Sequence, residues 1–450
     1  ASDELMGRAT ERPEIHIAAK YISEAFRSMQ LRECPNTTDY FQHFTIHFIK
    51  PASSGTLTIK DQTYRLTESF FELTGGDINQ QAPLIYAGHG TQADFDRLDV
   101  KGKIVVTDFG DKDGTSLREG FGMIRKKREL AKEKGALALL ERLNAAETPW
   151  PLLRSMTTRE HPVVGEENEL PSFLIKDTDN KLPALYADKS LSASLMISGA
   201  TSKTTAAENV LGWIEGSDPK LKDQFIVLSA HYDHLGVAAR PKMEEGKMDS
   251  IYNGARDNAI GVTAVMDAAL YFSQHPPKRS MLFIAYTGEE IGEIGSKYFA
   301  DNPVIPLHKL VYNMNIDNAS YNDTKIISVV GLGRTSADQD IKKGAEAFGL
   351  SAIPDPAPEQ NLFDRSDNVN LAVKGIPAPT FSLGFTSFDS TVTKRYHQLS
   401  DEVGNFDLDY AMKYIKAYIM AAKNIADNPQ QPTWIKGDKY EPAWKELFKK

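Results

Sequence analysis

The chain has 450 residues, about three times the length of a typical single domain, so we expect one large domain or two to three smaller ones. It carries 52 Lys and Arg residues against 61 Asp and Glu residues, a net charge of -9, which argues against a nucleic-acid partner because no basic surface can dominate. Its single cysteine, Cys34, excludes an intramolecular disulfide and an all-cysteine metal site, so any metal must be held by His and carboxylate side chains.

No apolar run approaches the roughly 20 residues that a membrane-spanning helix needs. The chain begins at Ala1 rather than at Met, and residues 1–12 are mostly polar. We interpret this start as the product of leader removal and expect a secreted or periplasmic protein. No feature of the sequence indicates an oligomeric state.

The first elements in chain order are a helix and a group of short strands. Apolar residues recur at helical spacing over 13–29, and polar and apolar residues alternate over 44–73. Several short strand-like runs then surround one charged helical segment, 123–134. We predict that 1–69 is the N-terminal part of a larger domain and that 70–204 is a self-contained insert.

After Glu208, strands and helices alternate regularly. Continuous apolar runs at 225–228 and 281–285 lie on either side of a helical pattern at 260–272, which is the pattern of a strand–helix–strand unit. Continuous apolar strands separated by helices predict an α/β fold with a mixed, mostly parallel central sheet flanked by helices. We assign 205–450 to the main part of this domain. Further predicted elements are strands at 310–312, 326–330 and 379–383, and helices at 337–348 and 408–426.

Residues capable of catalysis or metal binding follow the ends of successive predicted elements. In an open α/β fold, the carboxyl ends of the strands form the crevice where ligands bind. Each motif alone has an ordinary explanation, such as a helix cap, but their shared position favours a single site. The motifs are His231-Tyr232-Asp233-His234, Ala255-Arg256-Asp257-Asn258, Gly288-Glu289-Glu290, Asn315-Ile316-Asp317 and Tyr396-His397.

The residue types in these motifs indicate a metal site. Two His and three carboxylate ligands without a thiolate suit a borderline or hard divalent ion, and they exceed what one tetrahedral zinc requires. Two ions that share a bridging carboxylate fit this number. Such a pair activates a water and stabilises the oxyanion formed when that water attacks a carbonyl, while one further carboxylate moves the proton. The doubled acid Glu289-Glu290 can supply one base and one ligand.

The ordered set of motifs resembles the bacterial zinc aminopeptidase and glutamate carboxypeptidase family of di-zinc exopeptidases. The similarity covers 205–430 well and the N-terminal segment more loosely. Segments 86–88, 100–106 and 134–136 are similar to the protease-associated domain that is inserted in many members. The resemblance therefore implies a zinc-exopeptidase fold of the phosphorylase/hydrolase-like kind, with a small β-rich α/β protease-associated insert.

The resemblance also implies two zinc ions per chain and a role for each matched ligand. His231 and Asp317 would hold one zinc ion, and Glu290 and His397 would hold the other. Asp257 would bridge the two ions.

Three further residues are implied in catalysis. Glu289 would be the general base and acid, Asp233 would orient His231, and Tyr396 would donate a hydrogen bond to the oxyanion. His234 is a neighbour of the matched positions and is not predicted as a ligand. The other histidines match no motif and are predicted to be ordinary surface or core residues: His16, His43, His47, His89, His161, His275 and His308.

The function implied is that of an aminopeptidase, which hydrolyses N-terminal residues from peptide substrates through a metal-bridging water activated by Glu289. Three alternatives stay open: a carboxypeptidase of the glutamate carboxypeptidase type, a glutaminyl cyclase, and a binding protein with a vestigial metal site. The complete ligand set argues against the last. A carboxypeptidase needs a cation for the terminal carboxylate, and the candidates are Arg240, Arg256, Arg334 and Arg365.

Overall fold

The structure is a computed structural model. It describes residues 1–112, 115, 117–144, 150–164, 170–177, 180, 182, 191–244 and 246–449. Contacts within the chain divide it into two units, one formed by residues 1–45 and 206–450 and the other by residues 46–205.

The strands of the described residues are numbered in chain order. They are β1 (Phe41–Lys50), β2 (Ser54–Ile59), β3 (Gln62–Arg65), β4 (Phe70–Thr74), β5 (Ile78–Tyr86), β6 (Ile104–Asp108), β7 (Ala138–Leu143), β8 (His161–Val164), β9 (Ser172–Lys176), β10 (Ser192–Ser198), β11 (Thr201–Ile214), β12 (Phe225–His231), β13 (Val237–Glu244), β14 (Lys247–Ile251), β15 (Ser280–Tyr286), β16 (Leu310–Ile316), β17 (Ile326–Val330), β18 (Ser351–Pro354) and β19 (Thr380–Leu383).

Among the described residues, no helix is long and apolar enough to cross a membrane. The α-helices are Glu14–Ser28, Gln92–Asp96, Leu117–Glu133, Trp150–Thr157, Ile260–Gln274, Ile294–Asp301, Asp338–Glu346, Asn368–Ala372, Ser390–Thr393, Leu408–Asp427 and Glu441–Leu447. Segments of 3₁₀- or π-helix are Asp3–Arg8, Ala255–Ala259, Leu307–Lys309, Pro358–Gln360, Leu362–Asp364 and Val403–Asn405.

The first unit is built on a mixed sheet with the strand order β18-β17-β19-β16-β12-β15-β11-β1. Strand β12 pairs in parallel with β15 and β16, and β16 pairs in parallel with β19, whereas β11 pairs antiparallel with β15. Every residue of β12, β15 and β16 is buried, which explains their continuous apolar sequences. The predicted mixed, mostly parallel α/β fold is confirmed.

The long C-terminal helix Leu408–Asp427 fixes the strand that ends at the site. Its residues Tyr414 and Tyr418 are fully buried, as expected for core packing. The Tyr418 hydroxyl donates to the Met314 carbonyl at 2.7 Å, and the Tyr414 hydroxyl donates to Asn318 Oδ1 at 3.1 Å. These bonds hold β16 and Asn318, the residue that follows Asp317.

The second unit is built on a sheet with the strand order β3-β2-β10-β5-β6-β7-β9-β4. Its centre, from β5 to β9, is parallel, and β8 pairs antiparallel with residues 46–49 of β1. The unit begins at residue 46, not at residue 70 as the sequence predicted for the insert. The reason is long-range pairing, since residues 46–49 of β1 pair with β8 and β2 pairs with β10. That this unit is a protease-associated domain stays a prediction.

Candidate metal centre

The carboxyl ends of the parallel strands bring the predicted motifs together. His231 is the last residue of β12, Glu289 and Glu290 follow β15 after a short turn, and Asp317 comes directly after β16. The three strands are neighbours in the sheet, so their ends lie at one edge. Asp257 reaches the same edge from the turn Ala255–Ala259, which precedes a helix.

The Asp257 carboxylate lies between two groups of side chains, and its two oxygens face different groups. Oδ1 lies 3.3 Å from His231 Nε2, which is 3.4 Å from Asp317 Oδ1. Oδ2 lies 3.1 Å from His397 Nε2, which is 3.3 Å from Glu290 Oε2. Asp257 is only 2% exposed, so both contacts are shielded from water. Asp257 therefore has one carboxylate oxygen directed towards each group of side chains.

The donor set fits divalent metal ions. His231, Asp257 and Asp317 each offer one ligand atom within 4.8 Å of the others, and so do His234, Asp257 and Glu290. Imidazole nitrogen and carboxylate oxygen are the ligands that zinc and similar ions take when no thiolate is present. Buried carboxylates also need a compensating positive charge, which a cation would provide.

The electrostatics of the cluster point the same way. Burial alone would lower the pKa of His397, but the Asp257 and Glu290 carboxylates raise it to about 10. Burial opposes the charged form of His231 as well, yet Glu289 and Asp257 help to raise its pKa well above the ordinary value. The cluster therefore stabilises positive charge at both of its ends.

The Asp233 carboxylate holds the turn that carries the two glutamates. Its Oδ1 accepts the Glu289 backbone N–H at 3.1 Å, and its Oδ2 accepts the Glu290 N–H at 3.3 Å and the Thr10 hydroxyl at 3.1 Å. Asp233 Oδ1 lies 3.8 Å from His231 Nδ1, beyond hydrogen-bond distance. In this structure Asp233 thus positions the glutamate turn more directly than it orients His231.

Asp401 holds the segment that carries Asp257, and no motif identified it. Asp401 Oδ2 accepts the backbone N–H groups of Arg256 at 2.9 Å and Asp257 at 3.1 Å. The Arg256 guanidinium donates to Asp401 Oδ1 at 2.9 Å, and both side chains are almost fully buried. The Asp401 carboxylate therefore fixes the Asp257 backbone, and the Arg256 guanidinium compensates its negative charge.

Arg8 is a second residue that sequence reasoning missed. It is 3% exposed, and its guanidinium donates to the Tyr232 carbonyl at 2.9 Å and the Gly254 carbonyl at 3.2 Å. The Arg8 carbonyl accepts the His234 backbone N–H at 3.1 Å. Arg8 thus ties together two motif segments. Arg8 belongs to no motif, so the residues around it in the sequence do not indicate this role.

His234 belongs to the cluster, although it was not predicted as a ligand. Its Nδ1 lies 2.6 Å from Glu290 Oε1 and 4.0 Å from Asp257 Oδ2, and its side chain is fully buried. Among the described residues, none hydrogen-bonds its Nε2. The signal that could have found it is its position one residue after Asp233, at the same strand end.

Tyr396, predicted as an oxyanion donor, lies beside His397. Its ring stacks on His397 with centroids 4.0 Å apart and an interplanar angle of 25°. Tyr396 and Asp317 also line one cavity. All predicted site residues therefore meet in one region of the first unit.

The chain is similar in sequence to several known proteins. Residues 209–422 match the model of peptidase family M28. Aminopeptidase YwaD of Bacillus subtilis (strain 168) is 27% identical over 360 residues, which cover 79% of this chain and 69% of that protein. Human Transferrin receptor protein 2 is 24% identical over 206 residues, and the match covers 44% of this chain but only 23% of the receptor.

A solved structure shares the fold. The aminopeptidase from Aneurinibacillus sp. strain AM-1 superposes with a TM-score of 0.50 at 20% identity, covering 95% of this chain and 92% of that one. At this identity the likeness concerns the fold. Together, the comparisons show that residues 209–422 are similar to peptidase family M28 and that the chain shares the fold of a solved aminopeptidase.

Proposed function

We propose that this protein is a two-zinc aminopeptidase that removes N-terminal residues from peptides. The observation that carries the proposal is the Asp257 carboxylate, whose two oxygens face two separate groups of potential ligands. His231 and Asp317 would hold one zinc ion, and Glu290 and His397 would hold the other. Bound there, the zinc pair would polarise the peptide carbonyl and lower the pKa of water enough for attack at neutral pH.

Glu289 is the group that we propose moves the proton. It lies beside the ligand Glu290, and Asp233 fixes its backbone N–H. Its carboxylate would accept the proton that the attacking water loses and return it to the departing amine nitrogen. Burial raises the pKa of Glu289 well above its ordinary value, an effect that His231 opposes and Asp317 reinforces.

Tyr396 would stabilise the charge that develops on the substrate carbonyl oxygen. Its stacking on His397 holds the ring beside the metal ligands, and a fixed hydroxyl donor costs little reorganisation when the oxyanion forms. Burial and the nearby Asp257 raise the pKa of the Tyr396 phenol, so the hydroxyl keeps its proton for donation.

A complete set of ligands supports an enzyme rather than a receptor. Similarity to the family alone does not decide this, because one relative is named a receptor and another an aminopeptidase. In this chain every position that the two-ion arrangement needs carries a His or a carboxylate, and the geometry brings them together. The name of the longer-matching relative favours an aminopeptidase over a carboxypeptidase.

Peptides that differ only at the N-terminus can test whether the enzyme requires a free N-terminal amine. We expect hydrolysis of dipeptides and tripeptides with a free amine, loss of turnover on chelation and recovery with zinc, while acetylated partners stay intact. Product release measured by chromatography would show this. Equal cleavage of acetylated peptides would instead support the carboxypeptidase alternative, and cyclisation of N-terminal glutamine would support the cyclase.

Substituting Glu289→Gln should reduce kcat by about 10²–10⁴-fold, because it removes the proton carrier and spares the ligands. Zinc content, measured by mass spectrometry of the metal, should stay at the wild-type level. Glu346→Gln, an exposed change on the helix Asp338–Glu346, is the matched control and should keep full turnover. Normal turnover in Glu289→Gln would refute the assigned role.

Substituting His234→Ala should weaken zinc binding by about 10–100-fold, because Glu290 loses the side chain that fixes its Oε1. Competition with a chelating dye would measure the affinity, and thermal unfolding of the metal-free protein would report any separate loss of stability. The control is His275→Ala, which changes an exposed histidine. An unchanged affinity would show that His234 does not support the ligand.

A further inference from the structure

A cavity opens beside the Asp317 carboxylate, on the side of the site where Tyr396 lies. Parts of its wall are apolar and come from Val330, Leu362 and Phe385. Because Asp317 is a proposed zinc ligand, a peptide whose scissile bond lies at the zinc pair would have an adjacent side chain within reach of this cavity. The cavity chemistry therefore bears on which residue is accepted.

Three hydroxyl groups also line the cavity, and all three side chains are almost fully buried. Ser366 is 3% exposed, and Thr380 and Ser382 are each 4% exposed. Buried hydroxyls are costly unless they form hydrogen bonds. Throughout the described part of the chain, no residue hydrogen-bonds the Ser382 hydroxyl, which leaves it available to a group in the cavity.

A buried asparagine sets the direction of the other two hydroxyls. Asn315 Nδ2 donates to Ser366 Oγ at 2.9 Å and to Thr380 Oγ1 at 3.3 Å, while Asn315 Oδ1 accepts from Ser229 at 2.9 Å. Both hydroxyls are thus acceptors towards Asn315, and their own hydrogens remain to be donated. Within the described ranges no protein group accepts them. The cavity therefore offers hydrogen-bond donors.

One cation lines the same cavity. Arg365 is exposed and forms no salt bridge with a described residue, although its charge partly offsets the burial that raises the pKa of Glu293. Its guanidinium contacts the Gln360 carbonyl at a long 3.4 Å. Two other arginines considered as carboxylate partners are already paired, Arg256 with Asp401 and Arg334 with Asp438. Arg365 is therefore available for an anionic group of a substrate.

We propose that this cavity receives a substrate side chain that ends in a carboxylate, so that the enzyme prefers N-terminal glutamate over leucine or glutamine. Arg365 pairs with the carboxylate, the three hydroxyls donate to its oxygens, and the apolar wall contacts the methylene groups. This inference rests on the proposed aminopeptidase function, because that function places the first residue of the peptide beside Asp317.

The kinetic test compares p-nitroanilides of L-glutamate, L-glutamine and L-leucine, with kcat/KM as the readout. We expect the glutamate substrate to exceed the other two by about tenfold, as a charge-assisted contact provides. Arg365→Gln should remove most of that advantage and leave the leucine substrate nearly unchanged. Ser382→Ala should also lower the glutamate rate selectively. Arg65→Gln, an exposed change in β3, is the matched control and should alter none of the rates.

A binding test separates this inference from the proposed function. Free L-glutamate, L-glutamine and L-leucine are titrated into the zinc-loaded protein by calorimetry, with the same variants. Tighter binding of glutamate, weakened by Arg365→Gln, supports the cavity assignment even if no anilide is cleaved, in which case the proposed function fails alone. Turnover and binding that favour leucine or glutamine overturn the cavity assignment and leave the aminopeptidase intact.

Discussion

The site depends on one buried carboxylate that serves two groups of ligands. Asp257 is 2% exposed, and its oxygens lie 3.3 Å from His231 and 3.1 Å from His397. Without compensating positive charge, the buried carboxylates of this cluster would repel one another and lose solvation. The proposed pair of cations would meet that requirement.

The rest of the first unit holds that carboxylate and its partners in place through backbone contacts. Asp401 accepts the N–H groups of Arg256 and Asp257, and Asp233 accepts those of Glu289 and Glu290. Both carboxylates thus hydrogen-bond the backbone of the segments that carry proposed metal ligands. Positioning by such fixed acceptors keeps ligand geometry independent of mobile side chains, which a two-ion site requires.

Much of this site could be predicted from sequence, because the motifs with His231, Glu289 and Asp317 follow strands that are recognisable by their continuous apolar residues. The contributions of Arg8 and Asp401 could not, since both act over long sequence separations and belong to no periodic pattern. Long-range pairing also places the start of the second unit at residue 46 rather than at the predicted residue 70, because residues 46–49 pair with β8 and β2 pairs with β10. His234 shows a different limit. The sequence places this residue near the site, but it does not indicate that the ring nitrogen Nδ1 contacts Glu290.

The most direct test of the bridging role of Asp257 is the position of bound zinc, measured by anomalous diffraction at the zinc edge from crystals of the zinc-loaded protein. The account predicts two peaks about 3.5–4 Å apart, one between His231 and Asp317 and the other between Glu290 and His397, with Asp257 contacting both. A single peak, or two peaks that do not share Asp257, would contradict it.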